Sequence, residues 1–271
     1  MLSKTGCSSH QPAMESTDSR VQVFVSLLPQ AYFAEKVGGE HVQVSVLIPP
    51  GADPHTYEPT PQQMKDLAKA DLYLKVGTIE FEEMWMDRIV DVNPGMLVVD
   101  TSQSIDLIDQ DPHIWLSPNL ARQQAQSIYQ ALITIDAAHQ PDYQRNLQAF
   151  QGEMDQLDQY IKEQLKNIKH RELLVFHPAW RYFCADYGLE EIAIEQEGKE
   201  PTVQEMVRII NDAREKGIRA VIVSPQHSTH QAEAIAGDIG AEIITLDPLA
   251  RDYTANLRQA ADELARALSR D

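Results

Sequence analysis

The sequence predicts an α/β protein of two lobes, each with a mainly parallel sheet flanked by helices, joined by one long rigid helix. The first observation is a helical pattern over residues 141–168, where apolar residues recur every three or four positions. The second is the alternation of strand and helix patterns on both sides of this segment, which favours parallel sheets. The third is length, because 271 residues, 43% of them hydrophobic, can form two cores.

The long helix sets the predicted boundaries. About 28 residues at 1.5 Å per residue make a rod of roughly 40 Å, and Asp142 is well placed to cap its start. The prediction is a disordered polar tether over residues 1–20, a first lobe over 21–140, the linking helix over 141–168 and a second lobe over 169–271. The alternative is a single domain that carries a long surface helix.

Before the long helix, four strand patterns alternate with four helix patterns. The strands are alternating or continuous apolar runs, and three of the four helices begin at a proline or at the capping box Thr60-Pro61-Gln62-Gln63. The predicted strands are 21–25, 41–48, 72–76 and 97–99, and the predicted helices are 29–37, 60–70, 81–92 and 118–135.

The same alternation resumes after the long helix. A second capping box opens at Thr202, and glycines that suit helix ends stand at Gly217 and Gly240. The predicted strands are 173–176, 191–194, 220–223 and 242–246, and the predicted helices are 177–187, 202–216, 229–239 and 253–268.

Charge and composition exclude several classes of partner. The net charge of −18 argues against nucleic acid and against an anionic membrane surface, and it is compatible with a cationic ligand. No run approaches the roughly 20 apolar residues of a membrane-spanning helix. Of the two cysteines, Cys184 lies in an aromatic helix pattern and is expected to be an inert core residue, so no disulfide framework is predicted.

Four candidate metal ligands follow strands or lie in loops, each beside a proline. His55 and His113 belong to two Asp-Pro-His sequences, while His177 and Asp247 directly follow apolar strands. Because ligands of parallel sheets bind beyond the carboxyl ends of strands, these residues are expected to meet. Three imidazoles and one carboxylate suit a tetrahedral Zn²⁺ better than Mn²⁺, and argue against Ca²⁺ or Mg²⁺.

The other histidines lack this setting. His227 and His230 lie one helical turn apart, which indicates either a secondary metal site or simply a polar helix start. The remaining four are expected at the surface, namely His10, His41, His139 and His170.

At these motifs the chain resembles the substrate-binding proteins of bacterial ABC transporters for zinc and manganese, the ZnuA/TroA-like group. The resemblance extends from about residue 21 to the C-terminus, and its four motifs occur in the order of the family. They are GADPHTYEPTP (51–61), DPHIWLSP (111–118), FHPAWRYF (176–183) and LDPLA (246–250).

The resemblance implies that a metal ion binds between the lobes, with His55 and His113 from the first lobe and His177 and Asp247 from the second. Manganese-type relatives often have Glu in place of His177, so the residue here favours Zn²⁺, with Mn²⁺ as the alternative. Glu80 or Glu82, or a water molecule, would compete with Asp247 as the fourth ligand. The long histidine-rich loop of many zinc-specific relatives is missing, since the loop over residues 101–110 is short and contains no histidine.

The resemblance also implies partners and a location. The protein is expected to be a monomer that delivers its metal ion to an ABC permease, in the periplasm or on the extracellular face of the membrane. Thr5-Gly6-Cys7 is similar to the junction of a bacterial lipoprotein, which would place a lipid anchor on Cys7, although the preceding apolar segment is missing.

The function predicted from these residues is binding and not catalysis. The competing hypothesis is a zinc hydrolase, in which three histidines leave the fourth position to an activated water molecule. The sequence has neither a His-Glu-x-x-His helix nor a Gly-x-Ser-x-Gly turn, which disfavours that class. A surface adhesin is a third class, for which the sequence contains no mark.

Overall fold

A computed structural model describes residues 20–195, 201–227 and 229–270, so the predicted tether with Cys7 and His10 lies outside the described residues. The strands are β1 (Val21–Val25), β2 (Val42–Val46), β3 (Leu72–Lys75), β4 (Leu97–Asp100), β5 (Glu172–Val175), β6 (Glu190–Ala193), β7 (Ala220–Val223) and β8 (Glu242–Thr245). The helices are α1 (Leu28–Gly38), α2 (Pro61–Leu67), α3 (Glu80–Val92), α4 (Pro118–Ile135), α5 (Gln140–Leu165), α6 (Arg181–Tyr187), α7 (Val203–Glu215), α8 (His230–Ile239) and α9 (Tyr253–Leu268).

The strands form two four-stranded sheets, in the orders β2-β1-β3-β4 and β6-β5-β7-β8, and every pairing is parallel. The predicted fold class is therefore confirmed. In each sheet the first strand is central and the second strand lies on one side of it. The third and fourth strands follow on the other side. The order reverses between β1 and β3 and between β5 and β7, so these are the points where the loops beyond the strands leave room for a ligand.

The long helix α5 extends over 26 residues and carries the predicted apolar stripe on its buried face. That face packs against α1 and α4 of the first lobe and α9 of the second. The hydrophobic core is continuous from the first sheet, through α5, to the inner face of the second sheet. Both lobes thus share one core with the helix between them. The buried residues of α5 are Tyr143, Leu147, Phe150, Met154, Leu157, Ile161 and Leu165.

The predicted capping of α5 by Asp142 is wrong. The N-cap position is His139, without a side-chain cap, and Asp142 Oδ2 lies 2.9 Å from Nε2 of His41 instead. The rings of His41 and His139 stack with centroids 3.9 Å apart. His41, expected at the surface, is therefore half-buried and fastens the start of α5 to the first lobe.

The second sheet separates its apolar residues between two faces. Leu173 and Val175 of β5 join the shared core, while the alternating Leu174 and Phe176 join a smaller cluster under α7 and α8. This alternation follows from the two-residue period of a strand, and a parallel sheet buried on both faces needs apolar residues at every position.

The largest boundary error affects α6, which begins at Arg181 rather than at residue 177. Pro178 disfavours helical backbone at His177, so the chain makes a turn before the helix starts. In this turn, Trp180 N donates a hydrogen bond across 2.7 Å to Glu191 Oε1 of β6. The delay leaves His177 in a loop, beyond the end of β5. Among the described residues, no helix has the length and apolar character required to cross a membrane.

Candidate metal site

Both Asp-Pro-His sequences fold into the same local turn. The carboxylate of Asp53 accepts a hydrogen bond from His55 N across 2.9 Å, and that of Asp111 accepts one from His113 N across 2.8 Å. Such turns arise when an aspartate accepts from the amide two residues further on, and the intervening proline fixes the backbone. The turns hold both histidines in defined positions at the rim of the first lobe.

His113 is further oriented by Asp111. Its Nδ1 lies 2.8 Å from Asp111 Oδ1, and only 11% of the side chain is exposed. Burial is the largest single influence on Asp111 and opposes its ionisation, but the contacts with His113 and the charge of Arg181 together outweigh it and lower the carboxyl pKa below its ordinary value. With the Nδ1 hydrogen bonded to a carboxylate, the neutral ring presents the lone pair of Nε2 as a ligand.

A cleft of about 420 Å³ between the lobes brings four histidines together. The ring centroid of His177 lies 5.0 Å from that of His55, 5.4 Å from that of His113 and 4.6 Å from that of His227. Three of the four predicted ligands thus line the cleft. Among the residues that the structure describes, no three His, Cys, Asp or Glu side chains are arranged to hold a metal ion as they stand.

Asp247, the fourth predicted ligand, is hydrogen bonded within the second lobe. Its Oδ1 accepts hydrogen bonds from Gln226 Nε2 across 2.8 Å and from Leu249 N across 2.9 Å. The second bond repeats the Asp-Pro turn of the first lobe, with leucine where the other turns have histidine. Asp247 is not among the residues that line the cleft, although the next two residues of its loop, Pro248 and Leu249, are.

The carboxylate of Glu195 lies next to Nδ1 of His177. One carboxylate oxygen lies 3.4 Å from His177 Nδ1, an ion-pair distance without the geometry of a hydrogen bond. Both side chains are about nine-tenths buried, and the His177 imidazole lowers the pKa of the Glu195 carboxyl. A carboxylate on one ring nitrogen leaves the other nitrogen available to a metal.

The two glutamates expected to compete with Asp247 differ in position. Glu80 lines the cleft, with Oε2 3.1 Å from His55 Nδ1. Glu82 is buried and accepts hydrogen bonds from Ser26 Oγ and, at 2.8 Å each, from the amides of Val76 and Gly77. Glu82 therefore holds the loop before α3 and does not line the cleft.

Comparison with known proteins identifies the family. Residues 23–267 match the model of ZnuA, the periplasmic component A of a zinc-uptake complex. The chain belongs to the ZnuA family. A crystal structure of ZnuA has 42% sequence identity and a TM-score of 0.89, over 92% of this chain and 100% of that one.

Two further relatives differ in the metal that their names carry. The high-affinity zinc uptake system protein ZnuA of Bacillus subtilis is 25% identical over 92% of this chain and 85% of its own length. The manganese-binding lipoprotein MntA of Halalkalibacterium halodurans is 25% identical over 89% of this chain and 83% of its own. Family membership therefore leaves the preferred metal ion open.

In this ZnuA-family protein, residues of the second lobe form hydrogen bonds with the loop that carries His113. Tyr182 donates its hydroxyl hydrogen to the carbonyl of Asp111 across 2.7 Å and accepts from Ile108 N across 3.1 Å. Trp115 Nε1 donates to the carbonyl of Pro248 across 2.7 Å. These hydrogen bonds connect the two lobes beside the cleft. The lobes can therefore separate only a little before the bonds break.

The prediction from sequence does not include two residues of the site in this ZnuA-family chain. The sequence indicates no more than a secondary metal site or a polar helix start at His227, yet this residue lines the cleft, while His230 is exposed. Burial and the neighbouring His177 lower the pKa of His227, which favours its neutral form. Glu195 had one available signal, because it directly follows the predicted strand 191–194, just as His177 and Asp247 directly follow predicted strands.

Glu82 makes stability depend on pH. Burial raises the pKa of its carboxyl to about 7 from an ordinary value of 4.5, although the bonds from Ser26, Gly77 and Val76 favour the charged form. Between these two values the folded protein keeps a proton that the unfolded chain releases, so this contribution to stability falls as the pH rises. Glu82→Gln is therefore expected to flatten the decline in the free energy of unfolding between pH 5 and 7, measured by urea denaturation.

The exposed neighbour provides the control for this experiment. Glu83→Gln removes a charge from the same helix without touching the buried cluster. If the pH profiles of the wild type and the Glu82 variant are parallel from pH 5 to pH 7, the buried carboxyl does not titrate in this range and the prediction is wrong.

Proposed function

We propose that this ZnuA-family protein captures Zn²⁺ in the cleft between its lobes, outside the cytoplasm, and delivers it to an ABC permease without catalysing a reaction. The observation that carries the proposal is the convergence of imidazoles on His177. The imidazoles belong to loops of both lobes, so a single bound ion would connect the two lobes.

The ring separations agree with ligation of one ion. Two imidazoles bound to a tetrahedral zinc ion through bonds of about 2.0–2.1 Å place their ring centroids about 5.2 Å apart. The measured separations from His177 are 5.0 Å to His55 and 5.4 Å to His113. We assign these three histidines as metal ligands, with Asp247 as the fourth once a carboxylate oxygen turns to the cleft. Its Oδ2 is free of the two hydrogen bonds that hold Oδ1.

Selectivity for Zn²⁺ over Mn²⁺ follows from the donor atoms. Imidazole nitrogen suits zinc, whereas manganese prefers carboxylate, carbonyl and water oxygens. The name of the Bacillus subtilis relative supports zinc, and that of the Halalkalibacterium halodurans relative makes manganese the alternative. We therefore expect a site that binds both ions and prefers zinc.

The remaining assignments concern partners and organisation. The Halalkalibacterium halodurans relative is by name a lipoprotein, which supports a lipid anchor on Cys7. We propose a monomer with a first lobe over residues 21–140, a linking helix over 141–168 and a second lobe over 169–271. The interlobe bonds of Tyr182 and Trp115 support a small adjustment on loading rather than a wide hinge.

Metal titration of chelator-stripped protein tests the proposed function. We expect one tight equivalent of Zn²⁺ by elemental analysis, a rise in Tm, and weaker binding of Mn²⁺ under the same conditions. His113→Ala is the matched variant and is expected to abolish the rise in Tm. Equal affinity for the two ions would contradict zinc preference, and no bound metal in the wild type would contradict the function itself.

A further inference from the structure

We propose that His227 is a further metal ligand, which binds the ion together with His177 on the second lobe's side of the cleft. The proposal rests on the function proposed above and adds a fourth imidazole, which takes the fourth position of the tetrahedral shell while Asp247 keeps its hydrogen bonds to Gln226 and Leu249. It concerns a residue that stands in none of the four sequence motifs.

The first support is the position of His227 in the sheet. His177 follows β5 and His227 follows β7, and these adjacent central strands flank the point where the strand order of the second sheet reverses. Asp247 follows β8, which is the edge strand. The loops of the two histidines therefore open at the place where a doubly wound sheet offers a ligand the most room.

The second support is distance. The ring centroids of His177 and His227 are 4.6 Å apart, close to the roughly 5.2 Å of two imidazoles on one tetrahedral zinc ion. A separation of 4.6 Å requires a narrower angle at the metal. The two rings are stacked, with 27° between their planes, so binding of one ion by both also requires the His227 ring to turn.

The third support is the state of Asp247. Its Oδ1 is held by the Leu249 amide in a turn that both Asp-Pro-His sequences also make, and in those turns the aspartate positions a histidine. The second donor to Oδ1 is Gln226, the residue directly before His227. The second lobe therefore presents two imidazoles to the cleft while the carboxylate is engaged.

The chemical consequence is stronger discrimination between metals. Each nitrogen donor added in place of oxygen favours Zn²⁺, Ni²⁺ or Cu²⁺ over Mn²⁺. Because both imidazoles come from one lobe and already lie in contact, we infer that they can bind an ion before the first lobe's histidines complete the shell.

The test compares His227→Gln with His230→Gln in the full chain. His230 lies three residues further on and is exposed, so its variant controls for the loss of an imidazole near the start of α8. Zn²⁺ affinity is measured by chelator competition, and the number of imidazoles bound to zinc is measured by X-ray absorption. We expect His227→Gln to weaken binding about 10-fold or more and to remove one imidazole from the shell. His230→Gln should change neither quantity.

Two outcomes overturn the inference. Affinity within about twofold of the wild type, or an unchanged imidazole count in His227→Gln, shows that His227 does not bind the ion. If the wild type binds zinc and His113→Ala does not, the proposed function stands even when this inference fails. Absence of zinc from the wild type overturns both.

Discussion

Replacement of His177 by alanine is expected to lower the affinity for Zn²⁺ by roughly 100-fold or more, because the loss of even an outer partner of a ligand costs about 10- to 100-fold. His177 is the common member of the three contacts between histidine rings in the cleft. Its removal therefore separates the first lobe's imidazoles from His227. Competition with a chromophoric chelator at constant pH measures the change.

The exposed His230 again provides the control, since His230→Ala removes an imidazole without touching the cleft. Tm of the metal-free proteins should be measured in parallel, because His177 is about nine-tenths buried beside Glu195. An affinity of His177→Ala within a few-fold of the wild type would contradict the assignment of the site.

The second large effect is expected in the core. Phe150→Ala should lower the free energy of unfolding by about 3–5 kcal/mol, the usual cost of truncating a buried aromatic side chain. Phe150 is 1% exposed on α5 and its ring packs against Phe33 with centroids 5.5 Å apart. The neighbouring Phe33 ring also contacts Tyr253 of α9 at 4.9 Å, so the cavity would open where both lobes meet. Urea denaturation measures the loss.

Gln156→Ala is the matched control on the same helix. Gln156 is exposed, and a surface change to a good helix former should stay within about 0.5 kcal/mol of the wild type. A loss below about 1 kcal/mol in Phe150→Ala would mean that the aromatic cluster does not stabilise the junction.

Local patterns predicted most of the fold. The apolar stripe of α5 and the alternation of strands and helices depend on neighbours in sequence, so periodicity revealed them. The start of α5 was predicted wrongly because the partner of Asp142 is His41, which is 101 residues away. The predicted start of α6 is too early. The helical pattern that follows Pro178 suggests a helix from His177, although a proline disfavours helical backbone at the residue before it.

The site was predicted in part for the same reason. The prolines beside His55, His113 and His177 marked loops at strand ends, and the structure brings these histidines to one cleft. His227 could not be placed from sequence, because its relevance depends on β7 lying beside β5 rather than at the edge of the sheet. Strand order is a property of the whole fold, and neither residue spacing nor composition encodes it directly. Whether the four assigned residues bind the ion stays a prediction.

The continuous core has a consequence for the lifetime of the molecule. Since α5 shares its buried face with helices of both lobes, neither lobe can unfold without exposing apolar surface of the other. An ion in the cleft at 100 times its Kd adds about 2.7 kcal/mol to the stability of whatever unfolds as one unit with the site. Protease cleavage would then slow about 100-fold at the positions where it requires global opening. Loaded molecules would outlast empty ones, and the supply of metal would set how much of the protein persists.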